Sequence, residues 1–330
     1  MREARAGANI SFRDFSLPAL FKNRRCPVQA LATAPMEFSV DTFLDPQFLI
    51  SPADLAARMG RAEAPLLLDV RREEKFSASS RMLAAARRCQ PDDVAALAAT
   101  EPPREVVVYC VYGHEVSASA VTTLQAAGWN ARKLAGGFKG GEDGVDSAQN
   151  IAQWRAQRPP TMVKRADWGV TGEQPSRWIT RERPKIDRIA CPWLIRRFID
   201  PRARFFYVPT PQVFSEASRL QAVAYDIPGA PVSHEGELCS FDTLLRAFGL
   251  DDPALATLAR IVRGADTDKL DLAPQSAGLL AVSLGLSKLH ADDHAMLDAA
   301  LPLYDALYAW CKSAQDESHS WKPETMIAPA

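Results

Sequence analysis

The chain has no CxxC pair, no apolar run long enough to span a membrane, no surplus of either charge, and only five histidines in 330 residues. Each absence narrows the field. The six cysteines are separated by 63, 21, 81, 48 and 72 residues. That spacing excludes a structural zinc site built on cysteine pairs. In a reducing compartment it reads as separate thiols rather than a disulfide framework. The longest apolar stretch, Ala277 to Leu289, is interrupted by Ser283, Gly285, Ser287 and Lys288, and falls short of the ~18 residues a membrane helix needs. The opening MREARAGANISF lacks the compact apolar segment and small-residue cleavage site of a secretory signal. A cytoplasmic protein with no membrane partner is expected. Thirty-nine Lys and Arg balance 40 Asp and Glu, so the whole molecule is not an electrostatic binder of nucleic acid.

Hydrophobic residues make up 47% of the chain, enough to pack two cores at the usual ~100–200 residues per domain. Residues 1–36 show little periodicity and read as a flexible extension. Met36 opens a segment that looks like a domain start, so translation from either Met1 or Met36 is consistent with the pattern. From 37 to 158 strand and helix patterns alternate. Ser51-Pro52 opens a helix that stops at Gly60, APLLLDV and REVVVYC are short buried strands, Glu115 to Ala127 is a helix, and ARKLAGGF is a third strand. This order predicts an α/β, doubly wound parallel sheet. Residues 159–175 mix Pro, Gly and charge without a period and read as a linker. Residues 176–315 carry three strand-like segments (SRWITRE, ARFFYVP, AVAYDIP) followed by helical patterns, an α+β, mostly helical second domain. Residues 316–330 read as a flexible tail.

Cys110 ends a buried strand, and Val111-Tyr112-Gly113-His114-Glu115 leads into a helix. Gly113 permits the turn, and the helix N-terminus presents N–H groups and partial positive charge. A thiol so placed favours its thiolate and suits nucleophilic sulfur chemistry; a buried strand-end cysteine is the plainer alternative. His114 is either a general base or a solvent-facing loop residue. Asp69 and Arg71 are either participants or a strand-end carboxylate paired with a loop cation. The pieces LLLDVRREEKF, VVVYCVYGHE and KLAGGFKGG, in that order over roughly residues 50–155, resemble the rhodanese family of sulfurtransferases. The resemblance implies that Cys110 takes sulfane sulfur from a donor, holds it as a persulfide and passes it to a thiol, with no cofactor. It also implies that a six-residue loop, Cys110 to Glu115, suits sulfur, whereas related phosphatases use a longer one. Glu115 stands at the last loop position, where it repels thiosulfate; a poor thiosulfate activity and a persulfide donor are expected. SASSRMLAAA replaces the family's usual segment after the first strand.

In the second half, nine basic residues fall between Arg177 and Arg204 against Glu182, Asp187 and Asp200. Guanidinium groups fit tetrahedral oxyanions. Arg183, Lys185, Arg188 and Cys191 make a candidate oxyanion and thiol site if Cys191-Pro192 opens a helix; core packing of Cys191 beside Trp193 is the alternative. His234, Glu237 and Cys239 in HEGELCSFD, with Asp187 or Asp266, are candidate ligands for a divalent metal. The plainer reading makes them loop and capping residues. Asp292, Asp293 and His294 read as a helix start. WITRERPKIDRIACPWLIRRFID, SHEGELCSFD and VRGADTDKLDLAPQSAGLLAVSLGLS, spread over roughly residues 176–315, are similar to the C-terminal domain of the ChrB family of chromate-resistance proteins. That resemblance implies a role in chromate resistance with chromate as a candidate partner. Two functions stay open: a sulfurtransferase coupled to an oxyanion- or metal-handling domain, or a chromate-responsive sensor in which the first domain only docks. A DNA partner is disfavoured, because no DNA-binding module precedes the second domain.

Overall fold

The computed structural model describes residues 48–317. The expected extension 1–36, with Cys26 and Met36, and residues 318–330 of the expected tail lie outside the described residues. In chain order the first half runs β1 (Leu49–Ile50), α1 (Pro52–Arg58), β2 (Leu66–Asp69), α2 (Glu73–Ser77), β3 (Arg81–Leu83), β4 (Arg87–Arg88), α3 (Val94–Thr100), β5 (Glu105–Tyr109), α4 (Glu115–Ala126), β6 (Asn130–Leu134), α5 (Ala148–Gln157) and β7 (Thr161–Val163). The second half runs β8 (Arg177–Arg181), α6 (Asp187–Leu194), β9 (Arg204–Val208), α7 (Val213–Leu220), β10 (Val223–Ala224), α8 (Ser240–Phe248), α9 (Pro253–Asp266), α10 (Ser276–Leu289) and α11 (Asp293–Ser313).

Five strands form one parallel sheet in the order β1-β6-β5-β2-β4. The expected doubly wound α/β sheet is present. Its two edge strands, of two residues each, are too short to carry a periodic signal. The apolar runs LLLD and EVVVY sit in its middle because both faces are covered. Ser51 caps α1 by accepting the Asp54 N–H at 3.0 Å. The second half adds a small parallel sheet, β10-β8-β9, and is otherwise helical, as expected. Pro192 does not interrupt α6: it lies inside the helix, which continues into a π-turn at Ile195–Ile199. The carbonyl a proline leaves without its i+4 donor is that of Arg188, which accepts the Tyr225 hydroxyl at 3.3 Å.

Segment 159–175 carries β7, which pairs antiparallel with β3, and buries Met162 and Val170. One apolar core runs through both halves, taking in Val107 and Tyr109 from the first sheet and Trp178, Trp193, Phe241 and Tyr304 from the second half. Backbone bonds stitch the same seam: the Ala85 N–H donates to Phe198 O and the Arg88 N–H to Gly172 O, both at 2.9 Å. The described residues fall within one compact unit, and no helix among them is long and apolar enough to cross a membrane.

Candidate active site and candidate metal centre

Cys110 follows β5 directly, at the end of the central sheet where α4 begins. It is 6% exposed. From Val111 to Ser117 no backbone N–H donates a hydrogen bond within the described residues, so the loop and the first turn of α4 present a run of free donors beside the sulfur. The loop keeps this shape through its neighbours. Gly113 has φ +81° and Gly137 φ +57°, and the two glycines lie against each other's backbone. The Phe138 N–H donates to Cys110 O, and the Lys139 N–H to Val111 O, both at 2.9 Å. Cys110 Sγ lies 3.3 Å from Ser117 Oγ, and that hydroxyl also reaches His114 O at 3.1 Å. Ser117 is fully buried and was not read from the sequence. The available signal was its place in the first turn of α4, over the strand end.

The His114 imidazole is engaged by carboxylates. Its Nε2 meets Asp146 Oδ2 at 2.8 Å, and its Nδ1 lies 3.7 Å from Glu142 Oε2. Asp146 in turn accepts the Glu142 N–H at 2.7 Å. The imidazole thus ties the loop to the turn after Gly141. Glu115 is exposed at the mouth.

Asp69 and Arg71 form a buried pair: Arg71 Nε to Asp69 Oδ1 at 2.9 Å and Nη2 to Oδ2 at 2.6 Å. The Tyr109 hydroxyl donates to the same carboxylate at 2.8 Å. The guanidinium lies over the Phe138 ring at 4.3 Å. Both residues are sealed from solvent, so they brace the segment that carries Phe138 and reach the sulfur site only through it.

The candidate oxyanion site is not assembled. Asp187, not Cys191, stands at the start of α6. Cys191 is one turn further on, fully buried, and burial first, then the neighbouring Asp187, pushes its thiol well above the ordinary range. The fold therefore places this cysteine in the core and disfavours its thiolate. Arg183 turns away to donate to His290 O at 2.9 Å and to Ser287 O. Arg188 pairs with Asp226 at 3.2 Å, and Lys185 is exposed.

A different cluster does converge. Asp187, Asp226, His234 and Asp266 each offer a ligand atom, all within 4.8 Å of one another. They come from the start of α6, the turn two residues after β10, the loop before α8 and the last residue of α9. His234 Nε2 lies 3.0, 3.5 and 3.7 Å from Asp266, Asp226 and Asp187. Asp187 also accepts the Ser240 and Phe241 N–H groups opening α8, at 2.5 and 3.1 Å. Two helix N-termini therefore favour its carboxylate. Burial and the nearby Asp266 and Asp226 outweigh them and raise its pKa. The same three carboxylates raise His234, Asp226 foremost.

Of the ligands expected from sequence, Asp187, His234 and Asp266 are brought together. Glu237 is not: it is exposed and pairs with Lys269 at 2.6 Å. Cys239 is not either. It is buried as the N-cap residue of α8, its sulfur 3.3 Å from Asp242 Oδ2, and burial raises its thiol. Asp226 was missed. Its mark is a non-glycine left-handed φ of +50° two residues after a buried strand, which no sequence pattern displays.

Comparison with known proteins bears on both halves. Residues 51–143 match the family model for a rhodanese-like domain, and residues 178–311 match that for the ChrB C-terminal domain. Protein ChrB of Cupriavidus metallidurans is 36% identical over 150 residues, covering 42% of this chain and 45% of that protein. The chain thus spans less than half the length of the curated relative it matches. Among solved structures, a rhodanese homolog from Thermus thermophilus is 28% identical, covering 27% of this chain and 93% of that chain, with a TM-score of 0.22. A full-length protein from Lactobacillus plantarum is 22% identical, covering 37% and 92%, with a TM-score of 0.29. The chain carries a rhodanese-like domain followed by a ChrB C-terminal domain.

Proposed function

We propose that the first half carries sulfane sulfur as a persulfide on Cys110, and that the second half binds a divalent cation, the two serving chromate resistance. The observation that carries the first part is the run of free N–H donors from Val111 to Ser117 around a cysteine at a helix start. Such donors stabilise an anionic sulfur. The Cys110 thiolate attacks the outer sulfur of a donor R–S–SH. The donor's S–S bond breaks, R–S⁻ leaves with the electron pair, and a Cys110–S–SH group remains. Its proton passes to R–S⁻, leaving Cys110–S–S⁻ and R–SH. Transfer to an acceptor thiol reverses these steps, so no net oxidation occurs. Thiosulfate is a poor donor in this reading, because Glu115 lies exposed at the mouth and the His114 imidazole is engaged by Asp146.

Intact-protein mass spectrometry after incubation with cysteine persulfide tests it. The wild type is expected to gain about one sulfur mass that Cys110→Ser does not gain. No gain, or an equal gain in the variant, overturns it.

The cation reading rests on the donor set at Asp187, Asp226, His234 and Asp266. Three hard carboxylates and one borderline imidazole suit Mn²⁺, Fe²⁺ or Zn²⁺ rather than a soft metal. When bound, such an ion supplies positive charge to an anion or a bound water. Asp187 and Asp266 would hold it from the buried side, and half-exposed His234 from the solvent side. Equilibrium dialysis with Mn²⁺ is expected to give one site per chain, weakened at least tenfold by Asp226→Asn; equal binding by the variant rejects this set. The link to chromate rests on the likeness to Protein ChrB. It predicts that cells expressing the chain tolerate chromate, and that Cys110→Ser removes the benefit. Retained tolerance in that variant favours the sensor reading, with the first domain as a docking module.

A further inference from the structure

Strand alternation places every second residue of β6 on one face of the sheet. Ala131 lies on the face that carries Val106, Val108 and Cys110, so Lys133, two residues on, lies on it too. The register pairs Lys133 with Val108, two residues before Cys110. An amine is thus buried beside the sulfur, under the start of α4. Lys133 is 8% exposed, and its Nζ donates to Gly113 O in the sulfur loop at 3.1 Å. No carboxylate lies within ion-pair distance of it among the described residues. A buried charge without a counter-ion is costly, and burial lowers the Lys133 pKa while Cys110 and Asp146 act against that. The loop itself brings no free cation. His114 is tied to Asp146 and Glu115 is acidic, and Lys139, in the neighbouring turn, is exposed to solvent, where its charge is screened.

We propose that Lys133 is the counter-cation of the Cys110 sulfur: a positioning residue that holds the loop through Gly113 O and balances the single negative charge of the thiolate or persulfide. This rests on the sulfur-carrier reading for its purpose, but not for its test. In the transfer written above, the site carries one negative charge before and after, so one fixed cation serves the whole cycle. Among the described residues, the other titratable groups around the sulfur are Tyr112, His114 and Glu115 in the loop and α4, Lys139, Glu142 and Asp146 in the following turn, and Cys89 in the same apolar cluster.

The test is the rate of Cys110 alkylation by iodoacetamide against pH, followed by peptide mass spectrometry on the full chain. Lys133→Gln keeps a donor for Gly113 O and removes the charge; Lys133→Arg keeps the charge. The expected result is a midpoint about one pH unit higher for Lys133→Gln, hence about tenfold slower alkylation below the midpoint, and a wild-type midpoint for Lys133→Arg. A loop that only needs its hydrogen bond would lose rate equally at all pH values. Coincident midpoints for wild type and Lys133→Gln overturn the proposal, as does an equal shift in both variants. If Lys133→Gln fails to fold, Lys133→Met removes the charge and the hydrogen bond together; loss of the bond alone lowers the rate at every pH, so a raised midpoint still reads the charge and an unshifted midpoint overturns the proposal. Sulfur uptake is read separately: a shifted midpoint with no persulfide in the wild type rejects the carrier reading and leaves Lys133 as counter-cation.

Discussion

Gly137→Ala is expected to damage the sulfur site from outside the loop. A Cβ at residue 137 would fall 2.7 Å from Cys110 O and 2.8 Å from Tyr112 C, and closer still to Gly113 N. All three are backbone atoms, so no side chain can swing aside. Residue 137 also has φ +57°, which costs a residue with a Cβ ~1–2 kcal/mol. Overpacking adds about 1–3 kcal/mol. The sum, about 2–5 kcal/mol, falls on the contact that shapes the Cys110 loop. Gly144→Ala separates the two contributions, because it shares a left-handed φ of +81° but meets nothing within 4 Å; only the conformational cost of ~1–2 kcal/mol applies there. Urea unfolding measures both variants, and iodoacetamide alkylation of Cys110 reports the loop. Gly137→Ala should lose more stability than Gly144→Ala and change the alkylation rate, while Gly144→Ala leaves the rate unchanged. Equal losses in the two variants, with an unaltered rate in both, would refute the close-packed cradle.

Arg71→Met leaves the buried Asp69 carboxylate with the Tyr109 hydroxyl and the backbone N–H of residue 71 but no countercharge. A loss of about 3–5 kcal/mol is expected in urea unfolding, with much of it regained in the double variant Asp69→Leu/Arg71→Met. Glu105 accepts bidentate bonds from Arg58 at 2.6 and 2.5 Å and a further one from Arg132 at 2.6 Å. Arg58 foremost, with Arg132, holds its carboxyl down at about 2, against an ordinary 4.5. A carboxyl depressed in the folded state stabilises above its unfolded pKa and loses that contribution as pH falls. The contribution should therefore fade between pH 4.5 and about 2. For a partly exposed group it amounts to about 1 kcal/mol. In Glu105→Gln that part of the pH dependence should vanish from the urea midpoints.

The first half was legible because its chemistry is carried by contiguous residues. The run VVVYCVYGHE is strand, loop and helix start in one segment, so periodicity located Cys110 and the loop at once. What escaped were contacts made at a distance. Lys133 reaches the loop from the next strand, and Asp146 reaches His114 from 32 residues on. The short strands β1 and β4 escaped because two residues cannot show a period. The apolar stretch of α10 shows the same limit. The serines that open and interrupt it, Ser276, Ser283 and Ser287, are buried together with Leu279, while Val282, Leu284 and Leu289 are exposed. Ser276 faces inward because its hydroxyl donates to Ile261 O at 3.0 Å in the neighbouring α9, and Gly264 of α9 lies close against it.

The second half shows why a ligand set assembled from separate elements is only half readable. His234, Asp187 and Asp266 could be suspected from residue type, yet residue type equally suggested Glu237 and Cys239. What separates the two groups is direction. Glu237 precedes α8 on the solvent side, where Lys269 can meet it. Cys239, as the N-cap of α8, turns its sulfur back along its own helix to Asp242. Asp187 instead spans from the start of one helix to the start of another, and Asp226, two residues after β10, is itself left-handed and meets it at the same point. The basic run from Arg177 to Arg204 follows the same logic. It looked like a surface for an oxyanion, but Arg181 and Arg188 turn toward Asp226 at 3.1 and 3.2 Å. Part of that positive charge offsets the buried acidic cluster. Removing one of these arginines should therefore weaken the fold around Asp226 as well as any anion site, and the two effects separate only when stability and ligand binding are measured on the same variant.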